Sequence, residues 1–522
     1  MAREEKSIAE IIPAVKLPRG VSQTWTYGVP KRLRGKIRIG DTARIPFRKK
    51  EVLGMVASFP KDKAAGFKIK DISEILPDLS LSESQLEIAR FISGHYFVPL
   101  GMAIRPMFPP EAKREARTKI GLDPSPEIGT LGGKDLADIE AKIEGSGRLL
   151  LLHSLGSERH ALYLSLIGKI GEGSQALLMM PEAFDIYGAA RFYIDRLGED
   201  RVAILSGGIT KNQYLAEWRK AKDGKARLVI GTRQAVFAPF AGLKLIIADE
   251  EHNSSYKQWD QNPRYSGIDT AIELARISGA KIILSSPTPS LESYSRTKED
   301  FKLLDISRHP ERFPEIIDME TEKRNGNYTF VSERLERALL ENIYEKKQAL
   351  IFIPRLGEKT IHQCKDCGHI AECPTCESPL MSYRGKLYCP RCKAEHEALR
   401  ECPRCHGQDI GAFGGGSERV FAEISQLFEG KNIRITELDS STSKDGRQNK
   451  KVFADWKRGK IDVLVGTQMA WKDYAMENLA VIAVIFPEII FSAPGFRSRE
   501  RSRQFLARIC RLAEEKAVII ES

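Results

Sequence analysis

Eight of the nine cysteines fall between positions 364 and 405, in four pairs each spaced by two residues: Cys364/Cys367, Cys373/Cys376, Cys389/Cys392 and Cys402/Cys405. A pair at this spacing presents two thiolates to one Zn2+, and a closed tetrahedral site uses two pairs. Four pairs therefore make two Zn2+ sites, and spacing leaves open which pairs associate. Closed thiolate sites have no position for a substrate, so their role is structural. They stabilise a segment too small to fold alone, by roughly 10–16 kcal/mol per site in zinc-finger peptides. Cys510 stands apart and reads as an ordinary buried thiol.

A second cluster lies in "LIIADEEHNSSYKQ", residues 245–258, where an apolar run stops at Asp249, Glu250, Glu251 and His252. Open α/β sheets bind ligands at strand C-termini. In nucleotide hydrolases an aspartate there holds Mg2+ and a neighbouring carboxylate or water-positioning group serves the attacking water. The plain alternative is a strand-end cap. The chemistry also needs a phosphate loop of the form GxxxxGK[ST], whose glycine amides, lysine and hydroxyl cradle phosphates and metal. The matching stretch is "LLLLHSLGSERHALYLSLI". His153 and Glu158 stand in the glycine positions, Arg159 in place of the lysine and His160 in place of the hydroxyl residue. A glycine at positive φ cannot be replaced by a bulky residue without strain. Glu158 sets an anion beside the phosphates, Arg159 is a planar fork rather than a compact ammonium, and His160 is a poor Mg2+ ligand. ATP and Mg2+ are not expected to be held productively.

The elements that position these groups follow from the hydropathy pattern. At 522 residues the chain predicts three or four domains, and its 42% hydrophobic and 29% charged residues are those of a soluble globular protein. No apolar run approaches the roughly 18–20 residues that cross a bilayer, and the N-terminus lacks a signal-peptide core, so a cytoplasmic location and no membrane partner are expected. Residues 1–70 hold 17 Lys+Arg against 6 Asp+Glu, while the remainder is balanced at 64 against 64. The whole excess of +11 thus sits on the first segment, a surface suited to a polyanion, with nucleic acid the usual one.

The predicted fold is multidomain. Residues 1–78 read as a small basic β domain, with short runs such as "KIRIG", "TARIPF" and "VLGMVASF". Residues 79–112 read as a helical, winged-helix-like module, with Ser82 as N-cap and Leu86, Ala89, Ile92 and Ser93 on one face. Residues 113–146 read as a linker. Continuous apolar runs alternating with helices then predict two α/β lobes with parallel sheets, 147–310 and 311–522, the second carrying a zinc-ribbon insertion at 362–407.

In order along the chain, "ADEEHNSSYKQ", "PRYSGIDTAI", "KIILSSPTPSLES" and "VLVGTQMAWK" resemble the helicase motifs of the bacterial replication restart family PriA (primosomal protein N′). The cysteine block followed by "GGGSERVFAEI" lies where that family carries its zinc-binding insertion, and "LPRGVSQTWTYGVP" and "GDTARIPFRKKEVLGMV" resemble its domain that captures a DNA 3′ end. The resemblance covers nearly the whole chain and implies two RecA-like helicase lobes. It also implies that the outer cysteine pairs share one zinc (Cys364, Cys367, Cys402, Cys405) and the inner pairs the other (Cys373, Cys376, Cys389, Cys392). Trp25 and Tyr27 are candidates for stacking on a terminal base, with aromatic core packing as the plain alternative, and Arg44, Arg48, Lys49 and Lys50 for phosphate contacts. Thr26 occupies the place of the family's acidic end-binding residue, so capture of a free 3′ end is not implied. In the family's last helicase motif, a GR-x-GR pattern, Leu512 and Glu515 replace the arginines, and the family's C-terminal domain is expected to be absent.

The leading expectation is a replication restart protein that binds stalled or abandoned forks and D-loops and helps assemble the primosome, without hydrolysing ATP. Its implied partners are primosome proteins, the replicative helicase or its loader, and single-stranded DNA-binding protein, and the implied location is nucleoid-associated. In that reading the DEEH acids are relics, kept because Asp249 and His252 bond across the cleft between lobes. Two alternatives stand beside it: an active ATP-dependent 3′-to-5′ helicase with a diverged phosphate loop, and a zinc-ribbon nucleic-acid-binding protein.

Overall fold

A computed structural model describes residues 7–18, 20–60, 69–110, 120–122, 128–307 and 313–353, and 360–521 apart from short stretches, the longest being 439–450, 467–477 and 491–495. The second half of "VLVGTQMAWK", the glycines of "GGGSERVFAEI" and Glu515 lie outside the described residues. The chain divides into two compact units, Met1–Ser307 and Arg308–Ser522.

The first unit opens with five antiparallel strands: β1 (Ile8–Pro13), β2 (Trp25–Gly28), β3 (Thr42–Phe47), β4 (Lys50–Ser58) and β5 (Glu74–Leu76), ordered β2-β1-β4-β3-β5. Ile11, Ile45 and Val56 point into a small core with Tyr27, Ile37 and Ile72. The run "KIRIG" is not a strand. Gly35 and Gly40 hold φ of 75° and 92°, and between these two turns Ile37 is buried alone. Helix α1 (Glu83–His95) starts in a capping box in which Ser82 accepts from the Gln85 amide and Gln85 accepts from the Ser82 amide. Its buried face is Gln85, Ile88, Ala89 and Ile92, which shares Ala89 and Ile92 with the expected stripe, and Leu86 packs partly buried against the same core. With α2 (Leu100–Ile104) it forms helices only, and no strand lies in residues 79–110. Among the described residues the module has helices and no wing, and its apolar face packs into one cluster with Phe237, Ile268 and Leu274.

The second half of the expected linker is a helix, α3 (Gly133–Ile143), with Ile143 buried and Glu140 bonded to Lys169 and Ser165. Seven parallel strands follow: β6 (Arg148–His153), β7 (Gln175–Met179), β8 (Val202–Leu205), β9 (Leu228–Gly231), β10 (Leu243–Ala248), β11 (Lys281–Ser286) and β12 (Lys302–Ile306). Their order is β12-β6-β11-β10-β7-β9-β8. Helices α4 (Arg159–Lys169), α5 (Ala183–Leu197), α6 (Lys211–Lys222), α7 (Gly267–Ser278) and α8 (Leu291–Arg296) connect them. Strands buried on both faces read as unbroken apolar runs, as a parallel sheet requires. Lys222 ties the β domain to this lobe, its Nζ donating to the carbonyls of Pro77, Asp78 and Ser80 at 2.7–3.3 Å.

The second unit is a six-stranded parallel sheet with a small antiparallel sheet inserted. It runs β13 (Glu315–Ile317), α9 (Met319–Arg324), α10 (Glu333–Tyr344) and β14 (Gln348–Phe352). The insertion follows as β15 (Thr360–Cys364), β16 (Met381–Tyr383), β17 (Lys386–Tyr388), β18 (Glu395–His396) and β19 (Ile410–Phe413). The lobe resumes with α11 (Ser417–Leu427), β20 (Ile435–Leu438), β21 (Val463–Gly466), β22 (Leu479–Ile485), the helix Ser498–Leu512 and β23 (Ala517–Glu521). The sheet orders are β13-β23-β22-β14-β21-β20 and β18-β17-β16-β15-β19.

Candidate functional site

Strands β6, β11 and β10 are neighbours, so their C-terminal ends bring the 154–158 loop, Ser285 and Asp249 to one edge of the first sheet. Arg159, the first residue of α4, donates from Nε to Asp249 Oδ1 at 3.0 Å and Oδ2 at 3.2 Å, and from Nη1 to the Gly156 carbonyl at 2.7 Å. Both partners are buried, Arg159 at 5% exposure and Asp249 at 1%. Tyr163, one turn along α4, has its hydroxyl 2.8 Å from Asp249 Oδ1 and 2.6 Å from Ser285 Oγ. One proton chain satisfies all three groups, with the serine donating to the phenol and the phenol to the carboxylate. Burial first, then the Asp249 charge, holds the Tyr163 hydroxyl protonated well above its ordinary range. Tyr256 closes the back, its hydroxyl 2.6 Å from the Asp249 carbonyl oxygen.

The rest of the loop is occupied in the same way. His153 is buried and accepts the Leu155 amide at Nδ1. His160 is buried with Nδ1 3.0 Å from the Tyr193 hydroxyl, and its ring sits edge-on to Tyr163 and Tyr193. The Glu158 side chain lies against the backbone of Gly129, where a Cβ would come within 2.7 Å of its Cγ, and Ser157 Oγ accepts the Gly129 amide at 3.0 Å. Mg2+ demands open oxygen ligands in near-octahedral geometry. Here the carboxylate that would supply them is neutralised by a guanidinium, so the residues present do not fit Mg2+ and a triphosphate.

Glu251 serves the fold. It is buried and accepts from the Ser290 amide, Ser290 Oγ and Ser293 Oγ, which pins the loop after β10 to the start of α8. Burial raises its pKa against those three donors. His252 Nδ1 is 2.7 Å from Ser286 Oγ, and Glu250 holds a φ of 48°. The expectation that Asp249 bonds across the cleft is not met: its partners Arg159, Tyr163 and Tyr256 all belong to the first unit.

In the insertion the sulfurs form two groups, Cys364, Cys367, Cys402 and Cys405, and Cys373, Cys376, Cys389 and Cys392. This is the grouping that the family resemblance implied. Sγ–Sγ distances are 3.7 Å (Cys364–Cys405), 3.6 Å (Cys367–Cys402), 3.6 Å (Cys373–Cys392) and 3.4 Å (Cys376–Cys389). Four thiolates at the Zn–S distance have tetrahedron edges of about 3.8 Å. The donor sets fit zinc, which would supply a cross-link and no reactive position.

On the β domain, the turn between β3 and β4 carries Arg48 and Lys49, with Lys50 beginning β4, all exposed, and Arg48 at φ 54°. Trp25 is exposed and stacks edge-on against Phe47 at 5.3 Å, with the Arg48 guanidinium 5.9 Å from the Phe47 ring. Phe47 is thus a member of this patch that sequence alone did not single out. Tyr27 is withdrawn into the core, its hydroxyl donating to the Pro46 carbonyl, so a stacking surface falls to Trp25. Arg44 is partly spent on Glu74, 3.5 Å away. Leu512 ends its helix.

A family profile described as the PriA 3′ DNA-binding domain (3′BD) matches residues 14–109, across both the β domain and the α1–α2 helices. "Replication restart protein PriA" of Bacillus subtilis (strain 168) is 33% identical over 371 residues, 69% of this chain and 46% of that protein. The protein of the same name from Rickettsia felis is 30% identical over 510 residues, 95% of this chain and 78% of its own length. The chain therefore spans less than half of the first relative and about three quarters of the second. A solved structure of RecG bound to a three-way DNA junction aligns with a TM-score of 0.43 at 14% identity, over 76% of this chain and 43% of that one.

Proposed function

The chain belongs to the PriA family of replication restart proteins, and from that membership we propose that it binds stalled or abandoned forks as a scaffold, not as an ATP-driven motor. The observation that carries this reading is the Arg159–Asp249 pair: a side chain of the protein neutralises the carboxylate that a nucleotide hydrolase keeps for Mg2+. The lobes are then a folded platform. DNA is engaged by the hairpin tip at Arg48, Lys49 and Lys50 through phosphates, and by Trp25 through base stacking, worth about 1–3 kcal/mol per base. The Lys222 bonds make the β domain and the first lobe one piece, so a fork held by the tip is presented in a fixed orientation to that lobe. The scaffold's partners, on this reading, are primosome proteins, the replicative helicase or its loader, and single-stranded DNA-binding protein.

The test is fork affinity with and without nucleotide. A scaffold binds forked DNA more tightly than linear duplex, with a Kd that does not move on adding ATP, ADP or a non-hydrolysable analogue with Mg2+. A Kd that shifts several-fold with nucleotide contradicts the reading.

A further inference from the structure

The two four-cysteine groups have the same burial pattern and nearly the same sulfur spacing, so the ligands alone do not distinguish them. Their surroundings do. A zinc ion on four thiolates carries an excess of two negative charges. Groups that donate to the sulfurs relieve that excess, and a carboxylate beside them adds to it. Backbone amides serve both sites: Cys392 N–H donates to Cys389 Sγ in the inner group, and Arg404 and Gly407 N–H donate to Cys402 and Cys405 Sγ in the outer, all at 3.4 Å.

Beyond those amides the sites diverge. In the inner group, His396 Nε2 lies 3.5 Å from Cys373 Sγ, the imidazole being held on β18 opposite Leu387. Cys373 and Cys389 also sit in an apolar cluster with Ala371, Leu380 and Leu387, which packs the inner ligands against a small core of their own. In the outer group, Asp366 Oδ2 lies 3.9 Å from Cys364 Sγ. That carboxylate is wedged over Gly407, the residue after the turn that carries Cys402 and Cys405, where any side chain would collide with it. The described residues provide no apolar cluster of this kind around the outer sulfurs.

We propose that the sites hold zinc unequally: the inner one, with His396 donating to Cys373, retains its ion, and the outer one, with Asp366 beside Cys364, releases it first. This rests on the reading that both groups bind zinc. The consequence is mechanical. The outer group clamps the base of the insertion, where β15 leaves the lobe and β19 returns, with Cys364 opposite Ile410. The inner group clamps the β16–β17 hairpin. Loss of the outer ion loosens the base while the tip stays folded. His396 and Asp366 act through the ligands, as positioning residues.

The experiment uses the full chain. Zinc content is measured by elemental analysis, and release to excess 4-(2-pyridylazo)resorcinol is followed over time. The expected content is two ions per chain, leaving in two phases of equal amplitude. Removing an outer-shell partner typically costs 10–100-fold in metal affinity. His396→Ala should therefore speed the slow phase by about tenfold or more and leave the fast phase unchanged, whereas Asp366→Asn should slow the fast phase alone. Two ions leaving in one phase, or two phases that neither substitution moves, overturn the proposal and leave the zinc assignment standing. A content near zero overturns both.

Discussion

Arg159 Nε lies 3.0 Å from Asp249 Oδ1 and 3.2 Å from Oδ2, joining the start of α4 to the end of β10 with both side chains buried. Where a nucleotide hydrolase keeps a divalent cation, this chain keeps a guanidinium of its own. The pair has a thermodynamic signature, because a buried charge that loses its partner is far more costly than a buried pair.

Arg159→Ala should therefore destabilise the first lobe by about 3–5 kcal/mol, and Asp249→Asn by a similar amount, since each strands the other's charge. The double substitution should cost clearly less than the sum of the two. Denaturant unfolding of the four proteins measures the cycle, and additive effects would remove the claim that these residues stabilise one another.

The hairpin tip makes a separate prediction. Reversing Arg48, Lys49 and Lys50 to Glu should weaken binding to every DNA sequence alike and flatten the salt slope by roughly 2–3 units on duplex DNA. Trp25→Ala should instead leave the salt slope unchanged and lower affinity for ends with unpaired bases. If the triple reversal leaves the slope untouched, the phosphate contacts lie elsewhere.

Glu521 supplies a pH dependence in the second lobe. It is 1% exposed, its Oε1 accepts the Ser332 amide at 2.7 Å, and Oε2 has no partner among the described residues. Burial first, joined by the charges of Glu322 and Glu423 and opposed by the Ser332 donor, raises its pKa from 4.5 to about 7. The folded state thus binds more protons than the unfolded one across that window. Stability falls as pH rises through it and stays lowered above, by on the order of 3 kcal/mol. Glu521→Gln is neutral and nearly isosteric, so it should melt above wild type at pH 8 and converge with it toward pH 4. Parallel pH profiles for the two proteins would contradict this.

What was legible in sequence had a local cause. The strands of the first sheet announce themselves as unbroken apolar runs such as Leu149–Leu152 because both faces are covered, and Ser82 reads as an N-cap because Gln85 completes its box. The edge strand β12 carries Lys302 and Asp305, and so hides among polar residues. Helix α3 has Leu136, Ile139 and Ile143 at helical spacing, yet the Gly and Asp around it read as a linker. Arg159 could be picked out as the residue in the lysine position, but its partner lies 90 positions away, and only the strand order places the two together. The packing of Glu158 against Gly129 has no sequence signal at all. Tyr27 sits two residues from Trp25 on one strand, where a shared face is expected, so sequence leaves both stacking and core packing open for the pair. Only the strand end, at Trp25, reaches solvent.

The central claim is that Arg159 holds the place of the cation and that no hydrolysis runs in front of the DEEH acids. Steady-state ATP hydrolysis on forked DNA, comparing the wild type with Glu250→Gln, tests it most directly. The account predicts no DNA-stimulated turnover in either protein, and none in Arg159→Lys, since Glu158, His153 and His160 remain as they are. DNA-stimulated turnover in the wild type that disappears in Glu250→Gln would contradict it, because the guanidinium would then have to give way to Mg2+ and ATP in every cycle.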